Sequence, residues 1–587
     1  MSSRWERGRQ PPLNEQGSLP YKWLCQESAH GKRAMPATQA TAAASPRQEP
    51  FRWRRAEIAS TLEHCAAPDS PSQRETAAAQ GIPHATFNYW SRHYAPAAAD
   101  PEDSFFRSAA GEVVLRRSVA AALVVFQQRG ACGIRLVGEF LRLTQLDRFV
   151  ACSRGALHPL AAHLELDLIA FRDQEQPTLA GQMKPQAITL VADEHFHAGK
   201  PCLVGLEPVA GFLLLECYRD RRDADTWKEA IDQATAGLPV TVIQLTSDQA
   251  RALLCCAEKG LQAAHCPDLF HGQRDLLGPL LLPLARPVGQ AEKDLDKASK
   301  HTAKLDVPED QCQPLHELEA LIEAVRREMA CEERLRQAKE RQEKAVHEVR
   351  GVADDYHPFD RHTGQPVSAH EVGKRLNAHV DRLTEVVAEA GLGARAHEAV
   401  SKARTWLTTL MGCVAWFWSL ANARVEELDL NEEQERAVKE KLLAGHYWAM
   451  AAGRARTAEE RRRLQEMAEE LNSAAWRAGG ALAALREEER KEVEEVARQS
   501  AGLFQRSSSC VEGRNGRLSL QQHGHSRVSE RRLQALTVIH NYLVKRGDGT
   551  TAAERFFGQK HKDVFSWLLQ RMPDLPRPAP SRQKPAA

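Results

Sequence analysis

Apolar and polar positions change their pattern near Lys184, where short apolar runs bounded by Gly, Pro and Asp predict β-strands. Three such runs are followed by a helical stretch and a fourth run: AITLVAD, PCLVGLEP, GFLLLECYRD, DADTWKEAIDQATAG and VTVIQLTSD. Three strands, a helix and another strand predict a mixed sheet covered by helices. Residues 184–276 are therefore expected to form the first part of an α/β core, with AAHCPDLFH adding a short strand and a helix start.

Helical spacing dominates the chain on both sides of this core. Residues 101–183 have apolar residues at helical spacing and predict a small helical module. A second unit that binds DNA is one interpretation of this module, and a helix with a charged, solvated face is the other. Residues 277–505 combine Leu and Ala spacing with dense mixed charge, which is typical of paired long helices. This second region is expected to be an all-α insertion, broken at DDYHPFDRHTGQPVS.

A helix-turn-helix is predicted within residues 51–100, with a helix over 74–80, a tight turn at GIP and a second helix over 84–93. The second helix would offer polar side chains to DNA, namely Thr86, Asn88, Ser91 and Arg92. An ordinary helical hairpin is the alternative, because the motif is short and degenerate.

The remaining segments are the two ends of the chain. Residues 1–50 lack periodicity and predict a disordered basic leader, so that Met35 is an alternative start. Residues 506–575 are expected to complete the core with a basic tail, in which Arg514 and Arg517 would contact phosphate, and 576–587 to be disordered.

Composition restricts the class of protein. The 587 residues carry a formal net charge of +1, but Lys and Arg are concentrated towards the ends of the chain, which suits a polyanionic partner. The 13 cysteines include no C-x-x-C pair, and no stretch resembles a signal peptide or membrane span. A cytoplasmic protein without membrane contact is expected.

Candidate chemistry lies at the ends of two predicted strands. Asp193 ends the first strand and Asp248 follows the strand after the helix, and these two strands are expected to be neighbours. Two close carboxylates repel unless a cation lies between them, which favours Mg²⁺ or Mn²⁺ and a site for two ions. Glu512 is the preferred third ligand, with Glu554 as its rival.

Other interpretations of these residues stay open. Strand alternation places Asp193, His195 and His197 on one face, as in a zinc site. Asp248 could instead cap a helix that begins at Gln249.

Several motifs together resemble a bacterial insertion-sequence transposase of the DDE class: VADEHFH, LTSDQA, CPDLFHGQRDL, CVEGRNGRLSL and LTVIHNYLVKRGDGTTAAERFFGQK. The resemblance implies an RNase H-like catalytic core interrupted by the helical insertion. It also implies that Asp193, Asp248 and Glu512 bind two metal ions, and it places Asp268 and His271 in a D-x-F-H block of uncertain role.

The activity implied by the resemblance is cleavage at the terminal inverted repeats of a mobile element, followed by attack of the freed 3′-hydroxyl on target DNA. Its partners would be double-stranded DNA and further copies of the chain, as a homodimer or larger assembly near the nucleoid. By analogy, Trp416 or Trp418 could stabilise flipped or hairpin DNA, whereas their helical spacing favours the core of the insertion.

Two alternatives to an active transposase remain. One is a domesticated or inactive derivative that only binds DNA. The other is a structure-selective nuclease on the same fold.

Overall fold

A mixed five-stranded sheet lies at the centre of the computed structural model, which describes residues 55–66, 70–93, 105–306, 314–524 and 528–578. The predicted leader, including Met35, lies outside these residues. The strands are β1 (Gln186–His197), β2 (Lys200–Glu207), β3 (Phe212–Tyr218), β4 (Val240–Ser247) and β5 (Ala264–Pro267). Their order is β3-β2-β1-β4-β5, with β1 antiparallel to β2 and parallel to β4. The predicted strands, and the neighbouring positions of β1 and β4, are confirmed.

The turn between β1 and β2 explains why their pairing is antiparallel and tight. Only Ala198 and Gly199 separate the two strands, with φ of 49° and 82°. Two consecutive residues at positive φ fit the right-handed twist of a hairpin. The register therefore places Asp193 opposite Val204.

Helices cover both faces of the sheet. The helices of the N-terminal part and the sheet region are α1 (Arg55–Ala66), α2 (Gln73–Ala79), α3 (His84–His93), α4 (Ala109–Ala122), α5 (Ile134–Leu143), α6 (Arg154–Gln182), α7 (Ala224–Thr235) and α8 (Arg251–Cys255). One face of the sheet packs against α7, where Trp227 is fully buried. Burial on both faces explains why β1 has a continuous apolar run rather than strict alternation.

The first three helices pack against one another. Phe87 and Trp90 of α3 are buried, as are Ile58 of α1 and Ala77 of α2. Gly81 joins α2 to α3 at a φ of 65°, a value that glycine adopts without strain. The second predicted helix has its predicted bounds, and the first lies one residue earlier than predicted.

A helical bundle forms the insertion. Its helices are α9 (Leu269–Leu305), α10 (Leu315–Asp355), α11 (Ala369–Glu389), α12 (Ala394–Glu426), α13 (Glu432–Ala437), α14 (Ala444–Arg454), α15 (Ala458–Ala475) and α16 (Glu487–Gly502). As predicted, α9 and α10 form a long hairpin and the chain breaks after Asp355. The insertion does not begin at residue 277, because α9 runs without interruption from Leu269.

The aromatic stretch of α12 lies where its spacing predicted. Phe417 is fully buried in the core of the bundle, and Trp416 and Trp418 are partly buried against that core. The Nε1 atom of Trp418 donates to the Val367 carbonyl at 2.8 Å. Packing of the bundle accounts for this stretch.

The C-terminal helices return to the sheet. They are α17 (Ser509–Gly524), α18 (Glu530–Val538), α19 (Ala552–Phe557) and α20 (Val564–Arg571). Leu141 and Phe171 of the predicted module at 101–183 share one core with Phe212 of β3 and Phe556 of α19. That region therefore has no separate core, and the described residues from Arg55 onward cluster as one unit.

No helix among the described residues is both long enough and apolar enough to cross a membrane.

Candidate acidic metal site

Two parallel strands place two aspartates side by side. The pairing of β1 with β4 aligns Val191 with Thr246, so that the same register continued by two residues brings Asp193 beside Asp248. Parallel neighbours end at the same edge of a sheet, which is why residues 55 positions apart in sequence meet here. Asp248 does not cap a helix at Gln249, because α8 begins at Arg251. Its Oδ1 accepts from the backbone N–H of Ala250 at 3.0 Å.

Asp193 is held from two sides. Its Oδ2 accepts from Nδ2 of Asn515 at 2.8 Å, and its Oδ1 accepts from the backbone N–H of Glu194 at 2.9 Å. Burial, followed by the negative charges of Glu194 and Asp248, raises the pKa of Asp193 to about 6. The position is therefore costly for an anion that lacks a cationic partner.

Helix α17 brings the third carboxylate to this edge. Val511 and Leu518 bury one face of the helix against Val191 and Val204 of the sheet. Glu512 and Asn515 are one turn apart on a neighbouring face, so that both reach the strand ends. The packing of α17 thus determines where Glu512 lies.

Asp268 caps the N-terminus of α9 and is the most enclosed acid of the site, with a side chain 0% exposed. Its Oδ1 accepts from the backbone N–H of Phe270 at 3.0 Å, and its Oδ2 from the Ser508 hydroxyl at 2.7 Å. The Oδ2 atom also contacts Nδ1 of His271. Asp268 therefore joins the end of β5 to the segment that leads into α17.

His271 connects Asp268 to the third carboxylate. Its Nδ1 lies 3.9 Å from Oε1 of Glu512. One ligand atom each from Asp268, His271 and Glu512 lie within 4.8 Å of one another, and within the described ranges no other group of three His, Cys, Asp or Glu residues does so. We call Asp193, Asp248, Asp268, His271 and Glu512 the acidic site.

Not every member of the acidic site is equally suited to bind a metal. Both oxygens of Asp268 already accept hydrogen bonds, including those from Phe270 and Ser508. Asp268 is therefore better placed to orient the His271 ring than to coordinate an ion, much as carboxylates hold ligating histidines elsewhere. This leaves Nε2 as the ring nitrogen of His271 that can face a ligand.

A cavity of about 340 Å³ opens beside the acidic site. Asp248, Asp268 and His271 form one wall, and Lys402 and Trp406 of α12 form the other. The two walls approach closely, because a Cβ on Gly272 would lie 2.2 Å from Cζ2 of Trp406. The insertion thus forms part of the space in front of the carboxylates.

Glu554, the rival third ligand, lies elsewhere. Its Oε2 accepts from the backbone N–H of Thr551 at 2.8 Å, in a capping box at the start of α19. This helix meets the opposite end of β1, where Nε2 of Gln186 donates to the Phe556 carbonyl at 3.4 Å. At about 3.3 Å per residue, Gln186 and Asp193 are roughly 23 Å apart along the strand. The structure does not bring Glu554 to the acidic site.

Arg514, predicted to contact phosphate, forms a buried ion pair instead. Its Nε and Nη2 donate to the two carboxylate oxygens of Glu216 at 2.7 and 2.6 Å, and the residue is 7% exposed. Thr537 donates to the same carboxylate. Arg514 therefore anchors α17 on the sheet and cannot present its guanidinium to DNA, whereas Arg517 is exposed.

The other predicted side chains are distributed as follows. On α3, Arg92 is exposed, and Thr86, Asn88 and Ser91 are half-buried. The Ser91 hydroxyl donates to the Phe87 carbonyl at 3.2 Å.

The histidines after Asp193 take part in separate contacts. Nε2 of His195 lies 2.7 Å from Oε1 of Gln522, and Nδ1 of His197 lies 3.3 Å from the Tyr218 hydroxyl. Neither belongs to the group of ligand atoms described above. The structure therefore gives the zinc interpretation of DEHFH no third ligand among the described residues.

The sequence interpretation missed Asn515 and Ser508. Asn515 follows Glu512 by three residues, which is the spacing of neighbours on one helix face. This spacing could have identified it. Ser508 gives no comparable signal, because its partner Asp268 is 240 residues away.

A protein-family model described as a family of unknown function (DUF6399) matches residues 438–584. The matched part runs from the last helices of the insertion to beyond α20 and includes Glu512 and Asn515. It does not include Asp193, Asp248, Asp268 or His271. A search of curated proteins found no match.

Proposed function

We propose that this protein is a transposase of the DDE class, in which an RNase H-like core cuts and joins DNA strands with two Mg²⁺ or Mn²⁺ ions. One observation carries the proposal: Asp193 and Asp248 lie side by side on parallel strands, and α17 brings Glu512 to the same edge. The strand order β3-β2-β1-β4-β5, with the antiparallel strands on one side and the parallel strands on the other, supports an RNase H-like core.

The donor atoms of the site suit a hard divalent cation. Carboxylate oxygens predominate, and magnesium binds through a few carboxylates while it keeps several waters. The pKa of Asp193, raised by burial and by neighbouring negative charge, is consistent with a position that a cation would relieve. We assign Asp193, Asp248 and Glu512 as the metal ligands.

The chain's own residues have distinct tasks in this mechanism. Bound metal would supply an activated attacking oxygen and stabilise the leaving oxygen. Asn515 fixes the carboxylate of Asp193 through its 2.8 Å hydrogen bond. Asp268 holds Nδ1 of His271, so that the ring faces the substrate or a ligand in one orientation.

DNA contact is assigned to the N-terminal helices and to one residue of α17. Helix α3 would enter a groove with Thr86, Asn88, Ser91 and Arg92, as the second helix of a helix-turn-helix does. Arg517 would contact the phosphate backbone near the acidic site. Arg514 is left out of this surface, because Glu216 binds its guanidinium.

The test is cleavage of DNA that carries the sequences flanking the gene, with Mg²⁺ or Mn²⁺ and a target plasmid. We expect Asp193→Asn and Asp248→Asn to reduce cleavage by about 10³-fold or more. Asp220→Asn is the matched control, because Asp220 is an exposed acid of the same sheet region that pairs with Lys200. Calorimetric titration with Mn²⁺ should show loss of binding in the first two variants only.

The outcomes also separate the alternatives. Cleavage without joining to the target would favour a structure-selective nuclease on the same fold. Sequence-specific DNA binding without metal-dependent cleavage would favour an inactive, transposase-derived DNA-binding protein. Equal cleavage by wild type, Asp193→Asn and Asp248→Asn would show that the site assignment is wrong.

A further inference from the structure

Helix α10 has two apolar rows, and among the residues that the structure describes only one of them packs against another helix. The first row packs against α9 through small buried residues, Ala324, Cys331 and Ala338. The second row consists of Leu315, Leu318, Ile322, Val325 and Met329, whose exposed fractions are 81, 44, 45, 40 and 62%, in that order. We call this second row the α10 seam.

The spacing of the α10 seam is that of a coiled coil. Its members follow one another at intervals of three, four, three and four residues. This heptad pattern keeps apolar side chains on one narrow stripe that faces a partner helix. Single exposed apolar residues are ordinary, but a continuous stripe of this kind marks an interaction surface.

The charges beside the seam discriminate between partner orientations. Glu319 and Arg326 occupy equivalent flanking positions, seven residues apart. In an antiparallel pair of identical helices, equivalent flanking positions meet, so that each Glu319 would lie beside the other copy's Arg326. A parallel pair would instead bring Glu328 close to Glu333 of the other copy, which is repulsive.

We propose that the α10 seam binds the α10 seam of a second copy of this chain in antiparallel orientation. With Ile322 of each copy against Val325 of the other, Leu318 faces Met329, and these layers are apolar throughout. Arg326 has a weak competing partner in its own helix, since its Nη1 lies 3.9 Å from Oε2 of Glu323 and both side chains are exposed. The Arg326 side chain can therefore leave Glu323 and bind Glu319 of the second copy.

The expected dimer is weak. The four side chains that each copy pairs in these layers cover less than the roughly 800 Å² per partner that stable interfaces bury. We therefore expect a dissociation constant on the order of micromolar. The interface does not depend on DNA or metal, so this inference stands apart from the proposed function.

The test is sedimentation velocity of the full-length, DNA-free protein from about 1 to 200 μM, a range chosen around the expected constant. We expect a monomer–dimer equilibrium that Ile322→Asp weakens at least tenfold. Glu319→Lys should also weaken it, because a lysine there would meet Arg326 of the other copy. The double variant with Arg326→Glu should restore it.

Arg327→Glu is the matched control, because residue 327 lies on the side of the helix away from the seam and should leave the dimer unchanged. Circular dichroism confirms that each variant is folded. A monomer throughout the concentration range would overturn the proposal, as would a dimer that Ile322→Asp leaves intact. Failure of the double charge swap to restore association would overturn the antiparallel arrangement.

Discussion

The two ends of strand β1 each meet a helix that carries a glutamate in its first turn. At one end, α17 brings Glu512 to within 3.9 Å of His271, close to Asp193. At the other end, α19 carries Glu554, whose carboxylate accepts from the backbone of Thr551. Local sequence gives the two glutamates similar positions in a first helical turn, yet only one of them faces other acids.

The difference shows what makes a carboxylate available for chemistry. Burial raises the pKa of Glu554, but the hydrogen bonds from Thr551 outweigh it and leave this pKa below the usual range. That carboxylate is satisfied by its own helix. Among the described residues, none donates a capping hydrogen bond to the carboxylate of Glu512, whose Oε1 lies 3.9 Å from Nδ1 of His271. The oxygens of Glu512 therefore remain available to a ligand.

The largest expected effect separates the two glutamates by activity. Under the proposed function, Glu512→Gln should lower metal-dependent DNA cleavage by about 10³-fold, because it would remove a ligand charge at the reacting phosphate. Glu554→Gln should stay within about twofold, since glutamine also serves in a capping box. The measurement is single-turnover cleavage at saturating Mn²⁺. The reverse result would move the site to the other end of β1.

The acidic end of β1 could be predicted from the sequence because it depends only on the strands and on their order along the chain. Apolar runs located β1 and β4, and the order of the elements made them neighbours, so that Asp193 and Asp248 were identified together. Glu512 was harder to assign. Glu512 belongs to a helix that follows the whole insertion in sequence, and no local sequence pattern predicts where that helix packs.

Arg514 shows a signal that was present but overlooked. Val511, Arg514 and Leu518 recur at intervals of three and four residues, which places all three on the buried face of α17. Its partner Glu216 lies within the apolar run of β3. A basic residue on an apolar helical face therefore indicated a buried ion pair rather than a phosphate contact.

The next largest expected effect is a change in stability, which tests the end of β1 that carries Asp193. Folded Asp193 retains its proton to a pKa of about 6, whereas in the unfolded chain it loses it near 3.8. Between these pH values the folded state binds more protons, so the free energy of unfolding falls as pH rises. Asp193→Asn avoids this loss and should raise the free energy of unfolding of the metal-free protein by about 1–3 kcal/mol at pH 8.

The pH dependence is the control for that prediction. Well below pH 3.8, the difference between Asp193→Asn and wild type should vanish, because the aspartate is then protonated in both states. Asp220→Asn, at an exposed position, should show no comparable gain at pH 8. Added Mn²⁺ should stabilise the wild type more than the variant. Denaturant unfolding at both pH values measures these differences.

The smallest expected effect is a loss of stability at the other end of β1, where α19 begins with its capping box. Thr551→Ala removes the hydroxyl that accepts from the backbone N–H of Glu554 at 3.2 Å, and should cost about 1 kcal/mol of folding free energy. Thr551→Ser keeps the cap and should cost less. Cleavage measured on folded protein should not change in either variant, because α19 meets β1 at the end opposite Asp193. A tenfold loss of cleavage in folded Thr551→Ala would show that the two ends of β1 are coupled, and that Glu554 has a role beyond the capping box.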